Sequence, residues 1–186
     1  LIATASHTFS AKSVAINCTY RPVVIDNETG LDELLWKPTS RTSGSLWKFG
    51  ADGSHTTTAV GVPAGTTAIV GHFATETGCG DVFLYGPGTT PDTLWDLDCA
   101  GHITAAPQTV NGTFTPVVQD FTPTDTLWDD ILWYRPTGAS VLWDSDGDRT
   151  WTSSGHTVGL AGTPIPAVYE WGYLHIWSPT APDALW

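Results

Sequence analysis

The sequence predicts an all-β fold assembled from four copies of one unit, and three observations carry that reading. The 186 residues are rich in Thr, Ser, Gly and Pro, include ten Trp, and lack the long Glu/Lys/Leu/Ala runs that make helices. Four landmarks recur in one cyclic order. The recurrence period, between 40 and 50 residues, is that of four short antiparallel strands, the signature of a β-propeller blade.

The landmarks are as follows. LDELLWKP, GDVFLYGP, DDILWYRP and GYLHIWSP superimpose without gaps, placing Pro38, Pro87, Pro136 and Pro179 at separations of 49, 49 and 43 residues. Two places before each Pro stands an aromatic residue (Trp36, Tyr85, Tyr134, Trp177), and six before it stand Asp32, Asp81 and Asp130, with Tyr173 in the fourth copy. A Leu-Trp pair follows, its Trp seven to nine residues after the Pro: Trp47, Trp95, Trp143 and Trp186. A β-branched run precedes each unit (PVVID, TAIVGHF, PVVQDF, PAVYEW), and a His in a Thr-rich segment (His7, His55, His102, His156) marks the remaining strand.

Each copy therefore reads as strand a (the β-branched run), strand b (Asp to aromatic), strand c (Leu-Trp) and strand d (His/Thr). The repeats span 22–60, 67–106, 116–158 and 166–186, the last completed by residues 2–9. The chain opens in a d-type segment and closes on a c-type strand, so the leading strand is expected to complete the last blade, from the same chain or from a neighbour. One domain of 1–186 results, long enough to bury about 70% of its unfolded surface.

Charge bounds the partners. Formal net charge is −12, with seven Lys and Arg, which makes the chain a poor partner for nucleic acid or anionic lipid. No apolar run approaches the ~20 residues of a membrane span. Low charge, abundant Thr and Ser and the absence of Met lead to the expectation of a secreted, extracellular protein, cut from a longer precursor.

PVVQDF…DDILWYRP resembles the FG-GAP/VCBS-type repeat of secreted bacterial proteins, fungal propeller lectins and the integrin α-chain head. The resemblance covers nearly the whole chain as four degenerate copies. It implies a propeller, and it implies calcium held on the acidic loop between strands a and b. Carried onto this chain, the loop gives Asp26, Glu28 and Asp32 in the first copy and Asp120, Asp125 and Asp130 in the third. Alternate carboxylates on a tight loop suit a hard cation that takes six to eight oxygens.

DSDGD (Asp144, Asp146, Asp148) carries a denser acidic pattern but lies between strands c and d, where Asp-Gly is hairpin-turn chemistry. The repeated His fall on outer strands, too far apart to share one ion, and take local roles. The Leu-Trp tryptophans pack between blades. Trp128, Trp151 and Trp171 lie outside the repeated landmarks, on loops or turns, and are candidates for contacting a sugar or a protein partner. Centring the second b–c hairpin on Thr89 sets Cys79 opposite Cys99, predicting a disulfide. Cys18 is left either as an inert thiol or as a link to a second chain.

No HExxH, zinc spacing or Gly-x-Ser-x-Gly elbow occurs, and no spacing points to paired glycosidase carboxylates. No catalytic residue is assigned. The expected function is a non-catalytic interaction or assembly module binding protein, including copies of itself. A glycan-binding lectin is the alternative, and a polysaccharide-active enzyme ranks third.

Overall fold

The computed structural model describes residues 20–27, 30–40, 42–74, 79–121, 128–156, 162–166, 174–177 and 184–185. Its described residues contain fifteen strands and no helix. Sheet I comprises β1 (Tyr20–Ile25), β2 (Glu33–Pro38), β3 (Ser43–Phe49) and β4 (His55–Gly61). Sheet II comprises β5 (Thr67–Gly71), β6 (Asp81–Tyr85), β7 (Asp92–Leu97) and β8 (Ile103–Gln108). Sheet III comprises β9 (Thr115–Gln119), β10 (Asp130–Tyr134), β11 (Ser140–Ser145) and β12 (Trp151–His156). Sheet IV has three strands, β13 (Thr163–Pro166), β14 (Leu174–Trp177) and β15 (Ala184–Leu185). In every sheet the strands pair antiparallel in chain order, so each of the first three repeats read from the sequence is one meander; in the fourth, β13 precedes the expected first strand at 166–171, of which only Pro166 is described. The leading segment, residues 2–9, lies outside the described residues.

The sheets adjoin through their first strands, β1 to β5, β5 to β9 and β9 to β13. Alternation along a strand then decides which neighbour each side chain meets. On β6, Val82 and Leu84 join Ile25, Leu35 and Leu46 of sheet I, whereas Phe83 and Tyr85 join Ile131 and Trp133 of sheet III. On β10, Ile131 and Trp133 face sheet II while Leu132 and Tyr134 pack with Ile176 of sheet IV. A strand buried on both faces carries apolar residues at every position after its first, which is why DVFLY and DILWY read as unbroken runs. The fourth strands, with one face open, are Thr- and Ser-rich and mostly exposed.

The Leu-Trp pairs obey the same alternation. Leu94 packs toward sheet III and Trp95 toward sheet I, and Trp143 packs toward sheet II. Around Trp133 the rings of Phe83, Tyr85 and Trp143 approach to centroid distances of 5.4, 5.0 and 5.4 Å.

Two sequence expectations shift by one residue. Leu34, Val82 and Ile131 face Trp47, Trp95 and Trp143 across their ladders, so the first copy equivalent to Asp81 and Asp130 is Glu33, not Asp32. Pro38 is the last residue of β2, paired with Tyr20, whereas Pro87 and Pro136 lie beyond their strands. Aligning on proline therefore misplaces the first copy. The second hairpin is also one residue tighter than the sequence suggested, with Val82 opposite Trp95 and Phe83 opposite Leu94. That register alone would set Cys79 against Asp98.

The Cys79–Cys99 disulfide nevertheless forms, with a Cα separation of 5.5 Å. Both cysteines have left the ladder: Cys79 pairs with Asn27 of sheet I in an isolated bridge, and Cys99 sits in the turn closed by the Asp98 N–H donating to the His102 carbonyl. The bond spans 20 residues. In the chain-entropy model, closing such a loop stabilises the fold by about 3 kcal/mol. Reduction should therefore lower the urea midpoint by a corresponding amount, measured by tryptophan fluorescence with and without dithiothreitol. An unchanged midpoint would show that the cross-link constrains nothing.

Candidate functional site

The loops joining first to second strands and third to fourth strands share one end of the sheets. Sequence reading placed most candidate carboxylates at this end, and the structure separates them into distinct roles.

Asp81 is fully buried. Its Oδ2 accepts the N–H groups of Phe73 and Ala74, each at 2.8 Å, and its Oδ1 accepts that of Leu97 at 3.2 Å. Asp130, 1% exposed, repeats the arrangement with Phe121 N–H at 2.8 Å and Ser145 N–H at 3.1 Å. Each carboxylate thus gathers the loop before its strand and the end of the third strand. Asp130 is one of the six carboxylates the sequence reading offered to calcium, but both of its oxygens already serve the backbone.

Neighbouring sheets are stitched beside these acids. Gly80 N–H donates to the Asp26 carbonyl at 2.7 Å, and Asp129 N–H to the His72 carbonyl at 2.8 Å. His72 N–H returns a bond to the Asp129 carboxylate at 2.8 Å, and Ser145 Oγ donates to the Phe73 carbonyl at 2.6 Å.

Asp26 and Asp32 are exposed, while Glu28 and Asp125 lie outside the described residues. Among the described residues no three His, Cys, Asp or Glu side chains are grouped closely enough to hold a metal.

The acidic DSDGD stretch runs from the end of β11 into a five-residue turn, residues 146–150, matching 50–54 and 98–102. In all three the fourth position is left-handed: Gly53 (φ 81°), Gly101 (φ 84°) and Arg149 (φ 63°). Arg149 occupies a conformation that disfavours a side chain. Its guanidinium pairs with the buried Asp96 of sheet II, Nε donating at 2.6 Å. That ion pair offsets the backbone cost and joins the two sheets.

Of the unaligned tryptophans, Trp151 opens β12 rather than lying on a loop. It packs into the core between sheets II and III, with Phe73 at 5.6 Å and Trp143 at 5.4 Å between ring centroids. Trp128 is half-buried, its indole laid against Gly147 so closely that a Cβ there would meet it at 2.5 Å. Trp171 and Cys18 lie outside the described residues. The repeated His make local contacts: His55 stacks on Trp47 at 4.2 Å, His102 bonds Asp98 at 2.8 Å and His156 bonds Ser154 at 2.8 Å.

Two features escaped sequence reading. The first is Glu33, 3% exposed, whose carboxylate oxygens have no hydrogen-bond partner. Its column position was hidden by the one-residue offset. Burial pushes its carboxyl up, Lys48 opposite it on β3 pulls it down, and Asp98 adds to the rise. Lys48 itself donates to the Cys99 carbonyl. Beside this pair opens a cavity of about 480 Å³ at the junction of sheets I and II. It is walled by Leu31, Phe49 and Ala51, with Asn27 and Lys48 as its polar groups and the disulfide at its edge.

The second is a face of sheet I. Trp36 and Trp47 alternate with Leu35 and Leu46, so they point away from sheet II. They lie 5.4 Å apart, with Phe49 at 6.4 Å from Trp47. Among the described residues none of the buried clusters joins this face to another sheet. No protein-family model, curated protein or solved structure matches the chain.

Among the described residues the three acids form a graded series with three, two and no N–H donors. Asp81→Asn should cost the most stability, roughly 2–3 kcal/mol, because its new amide confronts the Leu97 N–H. Asp130→Asn should cost less, and Glu33→Gln least, because its oxygens have no hydrogen bond to lose. Urea denaturation at pH 7 reads the order, and equal effects would contradict it.

Acidity gives an independent check. Burial pushes Asp81 and Asp130 up to about 6, against the N–H bonds that favour their charge. The folded chain therefore binds more protons than the unfolded chain between about pH 4 and 6. Stability should rise as pH falls through that window and be lost again as pH rises past 6. Asp52 and Asp98, held low by hydrogen bonds from Ser54 and His102, oppose this only at still lower pH. Urea midpoints between pH 4.5 and 7.5 should show the rise, and the Asp81→Asn and Asp130→Asn pair should flatten it.

Proposed function

We propose that the chain is an extracellular, non-catalytic β-propeller of four FG-GAP/VCBS-like blades whose task is interaction and assembly. The observation that carries this reading is the packing rule shared by sheets II and III. The second and third strands of each sheet turn one set of apolar residues to the sheet before and the alternate set to the sheet after. Applied once more, the rule leaves two faces to be matched. One is the Trp36, Trp47 and Phe49 face of sheet I. The other is the far face of sheet IV, where Trp177 is 45% exposed beside the buried Ile176.

Packed together, these faces close a ring within one chain. Packed between chains, they make an assembly. Burial of two Trp faces favours either outcome over exposure, at about 25 cal/mol per Å² of apolar surface. Sheet IV has three strands where the others have four, and the first residues of the chain are the strand assigned to complete it. The disulfide fits an oxidising compartment. No helix among the described residues is long and apolar enough to cross a membrane.

A glycan-binding role is the second reading. It is favoured by the cavity at the sheet I–II junction, whose Phe49 and Leu31 walls and Asn27 and Lys48 polar groups suit one face and one edge of a sugar.

Light scattering of the full chain and of a chain lacking residues 1–9 tests the first reading. Truncation should change the assembly state or unfold the last blade. A truncated chain of unchanged size and unchanged urea midpoint would contradict it. A glycan array tests the second reading, and binding abolished by Phe49→Ala would promote it over the first.

A further inference from the structure

The chain contains three Asn, and each begins an Asn-x-Thr triplet: Asn17-Cys18-Thr19, Asn27-Glu28-Thr29 and Asn111-Gly112-Thr113. Ser and Thr together supply 41 of the 186 residues, so finding one of them two places after all three Asn by chance is on the order of one per cent. The triplet is the acceptor pattern for N-linked glycan transfer, which needs a surface segment in a secreted chain.

The structure separates the two triplets whose Asn it describes. Asn27 is 7% exposed and bridged to Cys79 beside the Cys79–Cys99 disulfide. Asn111 and Thr113 are both exposed, on the connector between β8 and β9. That connector is held from below. Gly112 donates to the Gly88 carbonyl at 3.2 Å and accepts from Gly88 N–H at 2.7 Å, and its carbonyl also accepts from the Tyr85 hydroxyl at 2.9 Å. Its φ of 143° favours Gly at the middle position. Backbone bonds thus fix the middle residue and leave the flanking Asn and Thr side chains to solvent. Beside Asn111 a shallow cavity of about 240 Å³ is bordered by Thr89, Thr90, Pro91 and Gln108, offering hydroxyls and one apolar ring to a first sugar.

We infer that Asn111 carries an N-linked glycan and that Asn27 does not. The step is a group transfer from a lipid-linked oligosaccharide diphosphate. The Asn111 Nδ2 forms the new bond to the anomeric carbon, the bond from that carbon to the diphosphate oxygen breaks, and the lipid diphosphate leaves. The amide proton passes to the transferase. Asn111 belongs to the end bearing the second-to-third strand turns, opposite the end that holds the disulfide and the larger cavity. The glycan therefore leaves that cavity open to a partner. This inference rests on the extracellular reading.

The test is expression of the full chain behind a secretion leader in a eukaryotic host. Peptide mapping follows treatment with peptide N-glycosidase in ¹⁸O water, which marks each released site as heavy Asp. Asn111 should be marked and Asn27 should not. Asn111→Gln and Thr113→Ala should each remove that mark, Thr113→Ser should retain it, and Asn27→Gln should change nothing. Thermal melts identical to wild type show that the Asn111 and Thr113 variants fold. A secreted chain with Cys79–Cys99 intact but Asn111 unmarked overturns the inference while sparing the extracellular reading. A mark at Asn27 overturns the selection by burial. A chain retained in the cell with Cys79 and Cys99 reduced overturns both.

Discussion

A buried carboxylate at the head of the second strand is the constraint on which the described architecture depends. Asp81 and Asp130 each stand where three chain segments meet: the loop leaving the first strand, the second strand itself and the end of the third. Loops at the end of a sheet carry N–H groups that the ladder cannot satisfy, and an unsatisfied buried donor costs roughly 1–3 kcal/mol. One acid resolves two or three of them at once. Its own desolvation is the opposing cost, visible in carboxyl groups pushed up to about 6. The loops so held then contribute the backbone bonds between Gly80 and Asp26, and between Asp129 and His72, that fasten each sheet to the one before. Local satisfaction and inter-sheet registration are thus one arrangement.

Sheet packing follows from the same strands. Every position after the acid is apolar because both faces of the second strand are covered, one by each neighbouring sheet. The first copy departs from this pattern. Glu33 is one methylene longer than Asp, and its oxygens reach no donor. The junction it heads is also where the larger cavity opens and where a covalent bond, Cys79–Cys99, closes the edge. Where the hydrogen-bonded staple is missing, a disulfide lies close by.

Much of this was legible in the sequence, for identifiable reasons. Period-2 alternation and recurring Pro and Leu-Trp landmarks mark strands whatever the tertiary context, so the order and extent of the first three sheets could be read directly. Single-residue offsets could not. Aligning on Pro38 placed Asp32 in the acidic column, because the sequence does not show that Pro38 is still inside its strand. The disulfide partners were chosen correctly from a register one residue wide of the true one. The error was absorbed because both cysteines lie on segments free of the ladder. Trp151 was misjudged as a loop residue because its neighbours, Thr, Ser and Gly, look like a turn, although they form an outer strand with one open face. Nor could the sequence reveal that Arg149 fills a place its sister turns give to Gly, since the Asp96 partner that makes this tolerable lies 53 residues away.

Amide hydrogen exchange followed by NMR tests the role of the buried acids most directly. The N–H groups of Phe73, Ala74, Leu97, Phe121 and Ser145 belong to loops and strand ends, where exchange is ordinarily fast. Bonded to Asp81 and Asp130, they should exchange only with global unfolding, as slowly as the central amides of Phe83 and Leu132. Exchange at the rate of the exposed turn around Asp52 would contradict the account, because those carboxylates would then hold nothing in place.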